Sequence, residues 1–170
     1  MNFCKTWKTR PEILLMVMAA AMPIAFWAWV VLLNNFTVEV ASFTGKEIGI
    51  LQSLREVPGF LSFLVVYLLL IIAEQRLALL SLFILGVGVA LTGYFPTIIG
   101  LYITTVISSI GFHYYEACHQ SLSLQWLDKK TAPERMGLIY SVASVAKFLV
   151  LGAIFLSLIH ISEPTRPSSI

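Results

Sequence analysis

Residues 97–122 read TIIGLYITTVISSIGFHYYEACHQSL, and where such a stretch can be housed decides the fold. At about 1.5 Å of rise per helical residue it is long enough to cross a hydrocarbon layer about 30 Å thick. Most of it is apolar, yet His113, Glu116 and His119 lie within it. Near the centre of a bilayer an ionisable side chain costs several kcal/mol unless it is paired or faces a wet cavity, so this segment needs other helices around it. Its polar residues are arranged for that. Thr105, Ser109, His113, Glu116, Gln120 and Ser123 recur at steps of three or four, which places them in one stripe of a helix.

Four more segments of spanning length accompany it, near 11–34, 47–73, 77–94 and 134–158. The breaks between them are polar or helix-breaking: Asn34-Asn35, Thr44-Gly45, the short Glu74-Gln75-Arg76 link, Gly93-Tyr94-Phe95-Pro96, and the run from Asp128 to Pro133. Pro11 suits a first helical turn, whereas Pro23 and Pro58 fall inside spans and should kink them. The expected fold class is therefore all-α, a polytopic transmembrane bundle of five spans over residues 1–155, with no soluble domain and no internal repeat.

Composition agrees. Of 170 residues, 58% are hydrophobic and 12% charged, and the mean hydropathy is +0.87. A soluble domain carries about 25% charged residues, and so few charges would not cover the surface of one. Eleven Lys and Arg against nine Asp and Glu leave a net charge of +2, with no basic block to follow a phosphate backbone, so nucleic acid is not an expected partner. Cys4 lies in the N-terminal tail and Cys118 in an apolar helix, which gives no reason to bridge them. Lys5, Lys8 and Arg10 before an apolar run resemble a signal peptide, but residues 13–33 exceed the usual 7–15-residue core and lack a cleavage site, so they read as a retained first span.

Positive charge sets direction, because short cytoplasmic loops collect Lys and Arg. Lys5, Lys8 and Arg10, then Arg76, then Lys129, Lys130 and Arg135 mark one side, and the other has only Lys46 in its first loop. The N-terminus is expected inside, with the chain's fifth span ending outside.

Several ionisable groups fall within spans: Arg55 and Glu56 in the second, His113, Glu116 and His119 in the fourth, Lys147 in the fifth. Glu116 lies about ten residues before Trp126, roughly 15 Å deep, and Lys147 about twelve residues after Arg135, roughly 18 Å deep, so the two are candidates to meet. Arg55 approaches from the other side and is a candidate to complete a charge network. Ser141, Ser144 and Lys147 make a stripe on the fifth span, and Gln52, Arg55, Gly59 and Ser62 one on the second, while the third, with Ser81 and glycines only, is free to face lipid. The bland readings are that the hydroxyls bond back to their own helices, that Glu116 with Lys147 is a structural ion pair, and that Arg55-Glu56 is an interfacial pair.

Glu116-x-x-His119 is half of a di-iron helix motif, but the chain has no second half, and His113 and His119 point about 120° apart on one helix. No metal and no cofactor are expected. There is no G-x-S-x-G, H-E-x-x-H, Walker or G-x-G-x-x-G sequence, so an enzyme is not expected, and Gly86-Val-Gly88 reads as a small-residue packing surface.

The layout resembles the N-terminal half of the major facilitator superfamily over residues 1–155: cytoplasmic N-terminus, longer first outer loop, very short second and third links, charged fourth loop. Residues 126–137, WLDKKTAPERMG, resemble that family's link after its fourth helix, where an acidic residue, a Pro and a Glu-Arg-x-Gly run occur. The family's signature between helices two and three, a Gly followed by Asp-Arg-x-Gly-Arg, is reduced here to AEQRL at 73–77, which leaves Arg76, with Glu74 as an acidic substitute, to match its gating latch. The resemblance implies five helices of a six-helix half in a bacterial-type inner membrane, and secondary active or facilitative transport of a small-molecule solute, with protons as a coupling partner. Helices one and four line the central cavity in such transporters. That points Glu116 and His113 toward substrate or proton, with Gln120 in the same stripe, Lys147 as counter-charge and Arg55 on the pathway.

Residues 156–166, LSLIHISEPTR, look like the in-frame translation of a sequencing-library adapter, and 167–170 have no membrane logic. The natural sequence is thus expected to stop near Phe155, with 156–170 a non-native tail and the fragment inactive. The alternative reading is a small non-catalytic membrane assembly or interaction subunit, and a third is an intramembrane enzyme using His113, Glu116 and His119.

Overall fold

Lipid offers a backbone amide no partner, so a chain that crosses it must close its hydrogen bonds within each segment. The computed structural model describes residues 11–162, and among these it is all-helical, with no strand. Five helices are long and apolar enough to span a membrane: α1 (Pro11–Glu39), α2 (Gly45–Leu69), α3 (Glu74–Thr92), α4 (Ile98–Trp126) and α5 (Ala132–Ser162). The protein is a polytopic five-span helix bundle. Cys4, Lys5, Lys8, Arg10 and the end of the tail, 163–170, lie outside the described residues. Cys118 is buried as a free thiol.

Two expected breaks move. α1 runs through Asn34-Asn35, where the Thr37 hydroxyl donates to the Asn34 carbonyl at 2.9 Å. Asn is only mildly unfavourable in a helix, and what turns the chain is Ser42, at φ 54°, in the left-handed region. Phe43 is then buried edge-on to Tyr102, and the Glu47 carboxylate accepts from the Thr44 amide at 2.9 Å and also from the Thr44 hydroxyl, which starts α2. The first loop is accordingly short rather than long. Likewise Glu74-Gln75-Arg76 is not a link but the first turn of α3, entered from Ala73 in extended conformation, with the acid at the positive end of the helix. Within α2, Pro58 lies just before a 3-10 stretch at Leu61–Leu64, after which α-helix resumes at Val65. α1 stays α-helical through Pro23.

Consecutive helices alternate in direction, as the cross-helix contacts require. Trp29 Nε1 on α1 donates to Thr92 Oγ1 on α3 at 3.1 Å, and Glu12 on α1 meets Arg135 on α5 at 3.7 Å, so α1, α3 and α5 run parallel. Ser109 on α4 donates to the Arg55 carbonyl on α2, so those two run parallel in the opposite sense. The most extensive interface joins α3 and α4. A Cβ on Gly88 would lie 2.6 Å from the Ser108 amide nitrogen, and one on Gly111 2.4 Å from that of Leu85. Each glycine therefore lets the other helix's backbone come close, and dispersion does the holding where lipid removes the hydrophobic drive. Gly86 has open space instead, so Gly88 alone of that pair is a packing residue.

α3 is thus two-faced rather than simply lipid-facing. Leu77, Ala78, Ser81, Leu85, Gly88 and Thr92 are buried, while Leu79, Leu80, Phe83 and Val87 are exposed. Two apolar clusters form, one toward each end of the bundle. Leu14, Leu15, Met18, Leu77, Tyr115, Cys118 and Leu122 make the first, and Trp29, Leu33, Phe43, Leu51 and Leu101 the second. α5 packs along α1 and makes little contact with α4, which leaves an opening between them.

Overpacking of a close-packed core costs about 1–3 kcal/mol. Gly88→Ala and Gly111→Ala are each expected to lower stability in detergent by that order, read as a fall in thermal midpoint, while Gly86→Ala changes little. Equal effects at all three positions would contradict the seam.

Candidate functional site

The ionisable residues inside the spans separate into two places. Near the middle of the helices, Phe26, Trp27 and Val30 of α1, Arg55 and Glu56 of α2, and Phe112 and His113 of α4 surround a cavity of about 220 Å³. Arg55 Nε and Nη2 both donate to Glu56 Oε1 at 3.0 Å, so this pair is closed on itself along α2. Phe26 and Phe112 stack with centroids 4.1 Å apart, which joins α1 to α4 at that height. His113 stands edge-on to Phe112 and against Gly59, where a Cβ would lie 2.7 Å from the ring. The stripe of α2 therefore does face α4, through Arg55 and Gly59.

Lys147 is at the same height but on another partner. Its Nζ lies 3.4 Å from the centroid of the Trp27 ring, a cation–π contact from α5 to α1. It makes no ion pair with Glu116; among the described residues the side-chain salt bridges are Arg55–Glu56 and Arg135–Glu12. The reason is packing: α5 lies along α1 and makes little contact with α4, the helix that carries Glu116.

One turn further along α4, a groove of about 230 Å³ opens among α1, α4 and α5. Ala19 and Met22 line it from α1, Tyr115, Glu116, His119, Gln120 and Ser123 from α4, and Met136, Ile139, Tyr140 and Ala143 from α5. Glu116 and Gln120 are exposed and line this groove, and the Glu116 carboxyl has no hydrogen bond or ion pair among the described residues. His119 Nε2 lies 3.1 Å from the Leu15 carbonyl, an atom that only accepts, so this nitrogen carries its proton and the ring is held against α1. Tyr115 is 1% exposed, lines the groove, and its hydroxyl has no partner among the described residues.

The polar stripe of α4 is therefore divided. Thr105 and Ser109 are buried, with Ser109 bonded to α2, and only Glu116, Gln120 and Ser123, with His119, reach the groove. Many hydroxyls bond back to their own helices, including Ser108 to Thr104, Ser123 to His119, Ser141 to Gly137 and Ser144 to Tyr140. Ser141 and Ser144 are exposed and line neither space, so the α5 stripe contributes only Lys147 to the mid-height band. At the end of the bundle that holds Arg135, Glu74 accepts from Gln125 Nε2 at 2.6 Å, which ties the start of α3 to α4; the Arg76 side chain is exposed, with no ion pair or hydrogen bond among the described residues. Among these residues no group of three or more His, Cys, Asp or Glu is placed to hold a metal ion.

Tyr115, Tyr140, Met22, Met136 and Trp27 are the contributors that spacing along the chain does not single out. Tyr and Met on apolar helices look like core, and a lysine over a ring on a helix 120 residues away has no local signature. No protein-family model, no curated protein and no solved structure matches this chain.

With Trp27→Cys and Lys147→Cys together, a short bifunctional thiol reagent is expected to cross-link α1 to α5 on gels after cleavage of a connecting loop. The pair Glu116→Cys with Lys147→Cys should stay unlinked. The reverse pattern would put Lys147 on α4.

Proposed function

We propose that the chain is the front part of a secondary active or facilitative transporter for a small solute, of the major-facilitator type, with no enzymatic role. The observation that carries this reading is Glu116: a carboxyl group inside a span, open to a groove between helices, with no cation beside it. Structural charges in membranes are found paired, whereas groups on a substrate or proton route must be free to change partner. Helices α1 and α4 supply the groove and the cavity above it, and those are the helices that line the central cavity in the family that the sequence resembles.

Arg76, Lys129, Lys130 and Arg135 gather at one end of the bundle, the end tied by Glu12–Arg135 and Glu74–Gln125, and Lys46 is at the other. Positive-inside distribution makes the first end cytoplasmic and orients α1 outward, as in a plasma or bacterial inner membrane. The groove at Glu116 then lies in the cytoplasmic half and the Arg55–His113 cavity near mid-height, with the Phe26–Phe112 stack at the level of the latter. Solute and proton both have chemistry to meet there.

A second reading, a non-catalytic assembly subunit, draws support from α5. The most apolar window of that helix has no buried residue, and Phe148, Leu149 and Phe155 are exposed, so its outer face is available to another protein's helix.

Genomic sequence read through the codon for Phe155 decides between them. The transporter reading expects a sixth span and a second set of six related to the first; a stop within one span would favour the subunit. In the intact protein, Glu116→Gln is expected to reduce solute uptake into proteoliposomes at least tenfold, and uptake unchanged by that substitution would overturn the role given to Glu116.

A further inference from the structure

The groove among α1, α4 and α5 has a chemical character that narrows what it takes. Its one charged group is the carboxylate of Glu116. The cations in the adjoining helices are engaged elsewhere: Lys147 with the face of Trp27, Arg135 with Glu12, Arg55 with Glu56. A ligand that enters therefore meets one negative charge with no internal counter-charge. The rest of the wall is soft and polarizable, with the thioethers of Met22 and Met136 and the rings of Tyr115 and Tyr140. Aromatic faces attract ammonium groups, and thioethers accommodate irregular alkyl shapes. At about 230 Å³ the space is far larger than a bare metal ion needs and suits a small amine with a few carbon substituents.

A second observation points to a ligand independently of the charge. Tyr115, one of the residues lining this groove, is 1% exposed, and its hydroxyl is buried with no partner among the described residues. A buried hydroxyl without a partner is unfavourable, so a group that reaches and bonds it is favoured. Gln120, on the same wall, is likewise open to the groove.

We propose that this groove binds a small organic cation, an ammonium compound with its positive charge against Glu116 and its carbon substituents among Met22, Met136 and Tyr140. The assignment deepens the transport reading by giving its solute a class, and rests on it only for the claim that the ligand moves. The ammonium belongs either to a free amine or to a lipid headgroup, since the groove opens at the surface of the bundle.

The test uses the full chain in nanodiscs of phosphatidylglycerol, which has no ammonium headgroup, with benzyltrimethylammonium as probe and neopentylbenzene as its neutral isostere. Titration calorimetry is expected to show the cation binding at least tenfold more tightly than the isostere. Glu116→Gln should remove that preference, and Glu116→Asp should keep a part of it, which separates loss of charge from loss of folding. Equal affinity for the two probes, or a preference that survives Glu116→Gln, would overturn the proposal. Weaker probe binding after phosphatidylethanolamine is added assigns the site to a headgroup, and unchanged binding assigns it to a free amine; both keep the cation site. Cation binding with no solute flux in the intact carrier would sink the transport reading alone, whereas flux without cation binding would sink the site alone.

Discussion

A carboxyl group inside a membrane has to be given a place, and in this bundle the place of Glu116 is the opening between α4 and α5 that exists because α5 packs along α1 instead. The helices cannot all close on one another and still leave that group wet. If α5 moved onto α4, Met136, Ile139 and Tyr140 would be pressed against Glu116 and its charge would lose water with no partner to replace it, at a cost of several kcal/mol. Lys147 gains from the observed arrangement too. The ring of Trp27 offers it a partner on α1, so the cation in α5 and the anion in α4 are accommodated separately.

That opening is sustained by a rigid seam on the other side of α4. Gly88 and Gly111 bring α3 and α4 into backbone contact, and Trp29 and Thr92 hold α1 to α3 through a buried hydrogen bond, with Thr92 in turn bonded to the Gly88 carbonyl at 2.9 Å. The Phe26–Phe112 stack and the His119–Leu15 contact then fix α1 against α4 at two heights. Three helices are thereby locked, and the groove is what remains where the fifth approaches.

The number, type and approximate extent of the helices were legible in the sequence, because twenty apolar residues in a row admit few other readings. Boundaries were misplaced where polar composition was taken for a break: Asn34-Asn35 and Glu74-Gln75-Arg76 both stay helical, since helix ends here follow from Ser42 and from the extended Ala73 rather than from polarity. In the site, the polar stripe on α2 could be read from its spacing, but not that it meets α4, which only the Ser109–Arg55 and His113–Gly59 contacts show. The partner of Lys147 could not. Equal depth says that two groups share a level in the bilayer, and leaves open which helices are neighbours at that level. The tyrosines and methionines of the groove were hidden for a related reason, as they are apolar enough to read as core and declare themselves only when an unpaired charge is found beside them.

The central claim is that Glu116 faces a water-filled groove and not the acyl chains. Spin labels at Gln120 and Phe83, each in a background with Cys4 and Cys118 replaced, would report this in bilayers through collision rates with a water-soluble nickel chelate and with oxygen, which concentrates in lipid. The account predicts that the chelate dominates at position 120, on the groove wall with Glu116, and oxygen at position 83, on the exposed face of α3. Oxygen dominance at both positions would contradict it.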